Sequence, residues 1–278
     1  MKFKIFLVTA VCTVAALAIV AGICLYHYIG MPKSVGEKEY KYRTEKISVE
    51  YNGISLYGKA LIPVGESGQK FKTVIYAHGA NSNYKSDMTT LKSLAESGIA
   101  CYTFDFYGWT SKSTGPKGIG WFKGTDMSDN GAYIKKVLSQ VEDLNAVIEK
   151  IKSEDFVDKD NIYLLGSSMG GVTVATCAVT HTDDIKGIIL QYPAIFLNEQ
   201  AYEIGAEYDV NGYKNPVLLL QGDSDKVVPD KYSRELCDYY NSIDENHCRM
   251  IIYNGQPHVF TGKYKVIAAK DIYEFINS

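Results

Sequence analysis

From residue 72 onward, short apolar runs alternate with longer stretches in which apolar positions recur every three or four residues. The short runs fall at 72–77, 99–104, 161–165, 185–191, 216–221 and 249–253. Each is too short for a stable helix and reads as a buried strand. The stretches between them predict helices near 84–97, 130–153, 170–180, 230–242 and 263–276. The clearest is 130–153, where Val137, Leu138, Val141, Leu144, Val147, Ile148 and Ile151 share one face. Ser128 or Asp129 can cap its start. Strand–helix alternation of this kind predicts a parallel sheet with right-handed crossovers. Two earlier runs, 45–51 and 53–62, alternate in polarity and read as an antiparallel pair opening the sheet. The total is about eight strands, with helices on both faces.

The amino terminus differs from the rest. Lys2 and Lys4 precede an uncharged apolar run from Ile5 to Tyr26. A helix of about 20 residues crosses a bilayer core, and Tyr26 and Tyr28 suit the far interface. The expectation is a transmembrane signal anchor over 1–29, a polar tether over 30–44 and one catalytic domain over 45–278. That places the domain at a membrane and outside the cytoplasm. A signal cleaved near the Ala-rich stretch 15–21, giving a secreted protein, is the alternative. Lys33, Lys38, Lys41 and Arg43 after the run weaken the charge contrast that would set its orientation.

About 235 residues beyond the tether suit a single α/β domain. A net charge of −3 without a basic tract gives no nucleic-acid surface. Six cysteines in 278 residues exclude a disulfide-built scaffold. Cys101 and Cys177 read as small core residues, whereas Cys237 and Cys248 are a possible pair in an oxidising compartment. No Walker or dinucleotide-type glycine loop is present, and no His or Cys stands at metal-ligand spacing, so neither cofactor nor metal is expected.

The chemistry begins at Gly166-Ser167-Ser168-Met169-Gly170. This G-x-S-x-G lies between a strand run and a helical run, the context that a nucleophile elbow requires. Ser168 is the candidate nucleophile. A serine hydroxyl needs a neighbouring base, and the base needs a carboxylate to fix its tautomer. The run 216–221 leads into Asp223-Ser224-Asp225-Lys226-Val227-Val228-Pro229. The last strand run leads into Asn254-Gly255-Gln256-Pro257-His258. Ser168, Asp225 and His258 therefore occur in the order that an elbow-type triad requires. Asp223 competes with Asp225 for the acid position. His78-Gly79-Ala80-Asn81, directly after the run 72–77, supplies a second loop at a strand end.

These motifs resemble the α/β-hydrolase superfamily, in particular its small esterase and serine aminopeptidase-like (S33-type) branch. The likeness spans roughly 45–278. It rests on Gly-Ser-Ser-Met-Gly-Gly at 166–171, Gly222-Asp-Ser-Asp225-Lys-Val-Val-Pro229 and Gly255-Gln-Pro-His258-Val-Phe260. The resemblance implies an α/β-hydrolase fold with Asp225 as the triad acid. It implies an oxyanion hole from the backbone N–H groups of Ala80 and Met169, with Gly79 letting the loop turn. His78 is expected to hold its loop by hydrogen bonds rather than to catalyse. His181 and His247 read as surface residues.

Two loops hold the specificity. In related esterases the strand ending at Asp105 continues as D-x-x-G-H-G-x-S. This chain keeps Asp105, Gly108 and Ser113 but has Trp109 in place of the histidine. Trp109, Trp121 and Phe122 either line a substrate pocket or pin a long loop to the body. Tyr192, after the run 185–191, is a further candidate substrate contact. Residues 194–215 are too few for more than a helix or two and predict a short cap and an open site. The expected function is a serine hydrolase cleaving small carboxylic esters through an acyl-enzyme. Peptidase or amidase activity is the alternative, kept open by Glu199, Glu203 and Glu207 in the cap. A non-catalytic binding protein on this scaffold is a further alternative.

Overall fold

The computed structural model describes residues 34–108, 112–118, 130–197 and 213–278. The strands are β1 (Tyr42–Lys46), β2 (Val49–Tyr51), β3 (Ile54–Leu56), β4 (Gly58–Pro63), β5 (Phe71–Ala77), β6 (Ala100–Phe104), β7 (Val157–Ser167), β8 (Ile185–Gln191), β9 (Val217–Gly222) and β10 (Cys248–Tyr253). The helices are α1 (Met88–Glu96), α2 (Asn130–Lys152), α3 (Met169–Ala178), α4 (Asp230–Ile243) and α5 (Tyr264–Asn277). Eight strands form one sheet in the order β1-β4-β6-β5-β7-β8-β9-β10. The pairs β1–β4 and β4–β6 are antiparallel, and the others are parallel. This is the α/β-hydrolase fold that the sequence predicted.

The period of two along each strand divides the core into two layers. Ile75, Ile188, Leu190, Val217 and Leu219 face one side, where α2, α3 and α4 bury Val137, Leu144, Val174 and Leu236. Val74, Tyr76, Ile189, Leu218 and Leu220 face the other, covered by Leu91 and Leu94 of α1 and by Ala268 and Ile272 of α5. A strand buried on both faces has no polar face, which is why these runs read as continuously apolar.

Three expectations are corrected. Each of the two early runs is split. Residues 45–51 become β1 and β2, and 53–62 become β3 and β4, with β2–β3 forming a separate small hairpin. Second, the tether does not extend to residue 44. Residues 34–278 form one compact unit. The Ser97 hydroxyl accepts the amides of Val35 and Gly36 at 2.8 and 3.1 Å, and the Tyr40 amide donates to the Glu96 carbonyl at 2.8 Å. The polar composition there hides a segment held by backbone bonds and by Tyr40 set edge-on to Phe71. Third, His247 is buried, its ring against Tyr240 and its Nε2 2.9 Å from the Asn215 carbonyl oxygen.

The apolar run 5–26 and the cap residues 198–212 lie outside the described residues, as do Ser128 and Asp129. Among the described residues no helix is long and apolar enough to cross a membrane. Cys101 and Cys177 are buried, as expected. Cys237 and Cys248 are also buried, and both are free thiols. The Cys237 thiol donates to the Cys248 carbonyl at 3.5 Å.

Asp143 on α2 ties the outer strands to the loop after β6. Its carboxylate accepts the Tyr51 hydroxyl and, at 2.7 Å, the Tyr107 amide. Burial nevertheless pushes its pKa up from 3.8 to about 7. A carboxyl raised on folding stabilises the fold below its unfolded pKa, and that contribution is lost as pH rises through the folded value. Unfolding midpoints should therefore decline between about pH 4 and 7, and Asp143→Asn should flatten that slope. Equal slopes in a denaturation series would refute the assignment.

Candidate active site

The sheet reverses its winding between β5 and β7. From β5 the chain steps outward to β6, then crosses back to place β7 on the other side. Loops at the carboxyl ends of such a strand pair diverge and leave a crevice. Ala77 pairs with Gly166 across this boundary, so the loops following the two strands leave the sheet at one level.

Ser168 sits at the end of β7 with φ 54° and ψ −119°, and α3 begins at the next residue. A non-glycine residue with positive φ is strained by about 1–3 kcal/mol and persists only where its surroundings enforce it. Here the enforcement is steric. A Cβ on Gly170 would lie 2.2 Å from the Ala77 carbonyl oxygen, and one on Gly166 would lie 2.4 Å from that of Gly170. Both glycines are required for close approach. Gly79 packs less tightly: a Cβ there would meet the Ser167 oxygen at 3.0 Å and the Ser168 Cβ at 3.2 Å, so those neighbours would have to give slightly. The positive φ in that loop belongs instead to Asn81, at 56°.

His258 Nε2 lies 3.0 Å from the Ser168 hydroxyl, and its Nδ1 lies 2.7 Å from Asp225 Oδ2. The Asp225 side chain is shut off from solvent. Its Oδ1 accepts the amides of Val227 and Val228 at 2.8 and 2.9 Å, and its Oδ2 accepts the Gln221 side-chain amide at 3.0 Å. Four donors in all hold this carboxylate and fix its direction. Asp223 turns elsewhere, accepting the Gly255 amide at 2.7 Å. The choice between the two acids thus falls to Asp225. A close contact also joins the acid and histidine loops, since a Cβ on Gly222 would lie 2.1 Å from the Gln256 carbonyl oxygen.

His78 is fully buried. Its Nδ1–H donates to the Gly79 carbonyl at 2.8 Å, and its Nε2 accepts the Phe106 amide at 3.3 Å. Burial lowers its pKa, so it is neutral. It holds the loop, as expected. Asp105 has a related part, accepting the amides of Tyr84 and Lys112 at 2.7 and 2.9 Å.

Beside Ser168 and His258 lies a cavity of about 350 Å³. Ala80 lines it, while Met169 opens α3 directly behind the serine. Tyr192 also lines it, with φ 39° and its ring 4.8 Å from that of His258. Trp109, Trp121 and Phe122 fall outside the described residues. The structure adds Tyr76, Ser82, Lys85, Ser86, Asp87 and Lys265 to the cavity wall. None carries a sequence signal, because they come from a strand interior, a surface loop and the first turn of α5, all remote from the motifs. Only one group of residues among those described brings three metal-type ligands together, namely Glu149, His181 and Asp184. It lies outside the cavity wall, and the Lys152 ammonium is already bonded to Asp184.

Comparison with known proteins fits this geometry. The family profile described as serine aminopeptidase, S33, matches residues 68–207, which carry the elbow and the His78 loop. The chain belongs to that family. No characterised protein matches it significantly by sequence alone. Among solved structures, this S33 member is similar to Est1E from Butyrivibrio proteoclasticus with bound ferulic acid. The TM-score is 0.65 at 20% identity, covering 83% of this chain and 97% of that one. It is similar to TT1662 from Thermus thermophilus at TM-score 0.66 and 16% identity, covering 86% and 99%. It is also similar to a dienelactone hydrolase from Anabaena variabilis at TM-score 0.62 and 15% identity, covering 85% and 97%. At these identities the likeness concerns the fold, and the family places the chain among the hydrolases.

The elbow predicts a sharp response to one methyl group. Gly170→Ala should lower unfolding free energy by about 1–3 kcal/mol, because Ala77 is backbone in a central strand and cannot step aside. A wild-type denaturation midpoint for that variant would show that the close approach is not structural.

Proposed function

We propose that the protein is a serine hydrolase that cleaves carboxylic esters through an acyl-enzyme. The observation that carries the reading is the continuous hydrogen-bonded chain from Asp225 through His258 to Ser168, ending at an accessible cavity. His258 Nε2 takes the hydroxyl proton as Ser168 attacks the carbonyl carbon. Asp225 stays charged and stabilises the imidazolium. Negative charge gathers on the carbonyl oxygen, where the amides of Ala80 and Met169 receive it, each worth about 3 kcal/mol. The α3 amino end adds a favourable dipole. The alcohol departs with the proton from His258. Water, activated by the same imidazole, then attacks the acyl carbon and regenerates Ser168.

The ester preference is supported by the fold neighbour that carries ferulic acid and by the dienelactone hydrolase. The family description, serine aminopeptidase, favours an amide as second reading. Under the same proposal the domain works outside the cytoplasm, anchored through residues 1–29. That placement is supported by the uncharged run Ile5 to Tyr26.

A fluorophosphonate probe should label the protein once, and Ser168→Ala should abolish labelling. His258→Ala should cut kcat by roughly 10⁴-fold or more. An intact wild-type protein that never labels would reject hydrolysis. On a panel of p-nitrophenyl esters beside aminoacyl amides, the esters should be preferred. Higher kcat/KM on the amides would transfer the assignment to a peptidase.

A further inference from the structure

The cavity beside Ser168 has two lysines on its wall. Lys85 enters from the loop before α1, and Lys265 from the first turn of α5. Neither makes a salt bridge among the described residues. Lys85 has only a weak approach to the Tyr84 ring, at 5.8 Å from its centroid. Among the described residues the one acidic residue on the wall is Asp87, the residue preceding α1, whose φ is 52°. Its Oδ1 accepts the Thr90 hydroxyl at 2.7 Å, and its Oδ2 is sealed from solvent. Burial raises its pKa to about 6 while Lys265 pulls it the other way. Asp87 is therefore turned into the protein, where it steadies Lys265 more than it meets a ligand. The rest of the wall mixes polar and apolar surface. Among the described residues Ala80 and Val259 are its only aliphatic ones, and Ser82 and Ser86 bring hydroxyl groups.

A long alkyl chain lying against Lys85 and Lys265 would displace water from their ammonium groups without replacing its hydrogen bonds. The wall suits an anion, since two lysines that form no salt bridge among the described residues line one partly enclosed space. We propose that the hydrolase acts on esters whose acyl group carries a terminal carboxylate, with Lys85 and Lys265 as the residues that select it. This inference rests on the serine hydrolase reading. The volume of about 350 Å³ is ample for a dicarboxylic monoester of about six carbons. The lysines touch the remote end of the substrate and take no part in bond making.

Three p-nitrophenyl esters of equal chain length separate charge from size: hexanoate, the adipate monoester and 6-(trimethylammonio)hexanoate. The wild type should show the highest kcat/KM on the adipate monoester and the lowest on the ammonium ester. The preference should shrink as salt rises. Lys85→Met and Lys265→Met should each reduce the adipate-to-hexanoate ratio by roughly three- to tenfold. The double charge reversal, Lys85→Glu with Lys265→Glu, should favour the ammonium ester, a switch that mere structural damage would not produce. Equal values for the three esters, or a preference for hexanoate or the cation, would overturn the proposal while leaving the hydrolase standing. No turnover on any ester, together with no fluorophosphonate labelling, would reject the hydrolase reading and this inference with it.

Discussion

The contact of α3 with the end of β5 is the constraint on which the site depends. Gly170 lies against the carbonyl oxygen of Ala77 with no room for a methyl group. That approach forces the chain through an unfavourable turn and leaves Ser168 at φ 54° with its hydroxyl toward the crevice. A serine in an ordinary helical or extended conformation would not be held at this angle. The energy that the turn stores is supplied by the central sheet, whose strands β5, β7, β8 and β9 are buried on both faces and cannot yield locally.

The other partners are held by the same means. Gly222 packs on the Gln256 carbonyl, so the acid loop and the histidine loop share a wall. Gln221 reaches from β9 to Asp225 and to the Val228 carbonyl, and its own carbonyl accepts the Ser233 hydroxyl of α4. Tyr192 packs on the imidazole, and Phe260 is set edge-on to Tyr192. The three side chains are thus fixed by close backbone contacts between strand ends together with local hydrogen bonds, such as those of the Val227 and Val228 amides to Asp225. Low flexibility at each of them is what a preorganised acyl-transfer site requires.

Under the proposed reading, catalysis and selection draw on different parts of the molecule. The elbow, acid loop and histidine loop arise from the carboxyl ends of β7, β9 and β10. The charged wall arises from segments that only cover the sheet, the lead-in to α1 and the first turn of α5. Changes on that wall leave the sheet intact, which is how one scaffold serves many substrates.

Much of this was legible in the chain. Strand and helix order followed from hydrophobic period, because a doubly covered parallel sheet imposes apolar runs that no polar face interrupts. The serine, acid and histidine were legible because each follows a strand run at a glycine-bearing loop. The outer strands were less so. At β1 to β4 alternation persists across breaks at Ile47-Ser48 and Tyr57, and only pairing partners reveal where one strand stops. Residues 34–44 looked like a tether because backbone hydrogen bonds leave no mark on composition. His247 looked exposed because its burial depends on Tyr240, a helix away. The sequence by itself determined the candidate reaction-bearing residues and their order, since local turn chemistry demands particular residue types. Only the tertiary structure decided that Asp225 rather than Asp223 faces His258, and that Lys85 and Lys265 share a wall with Ser168. Those outcomes depend on which backbones approach within van der Waals contact, a property of the packed sheet and not of any one segment.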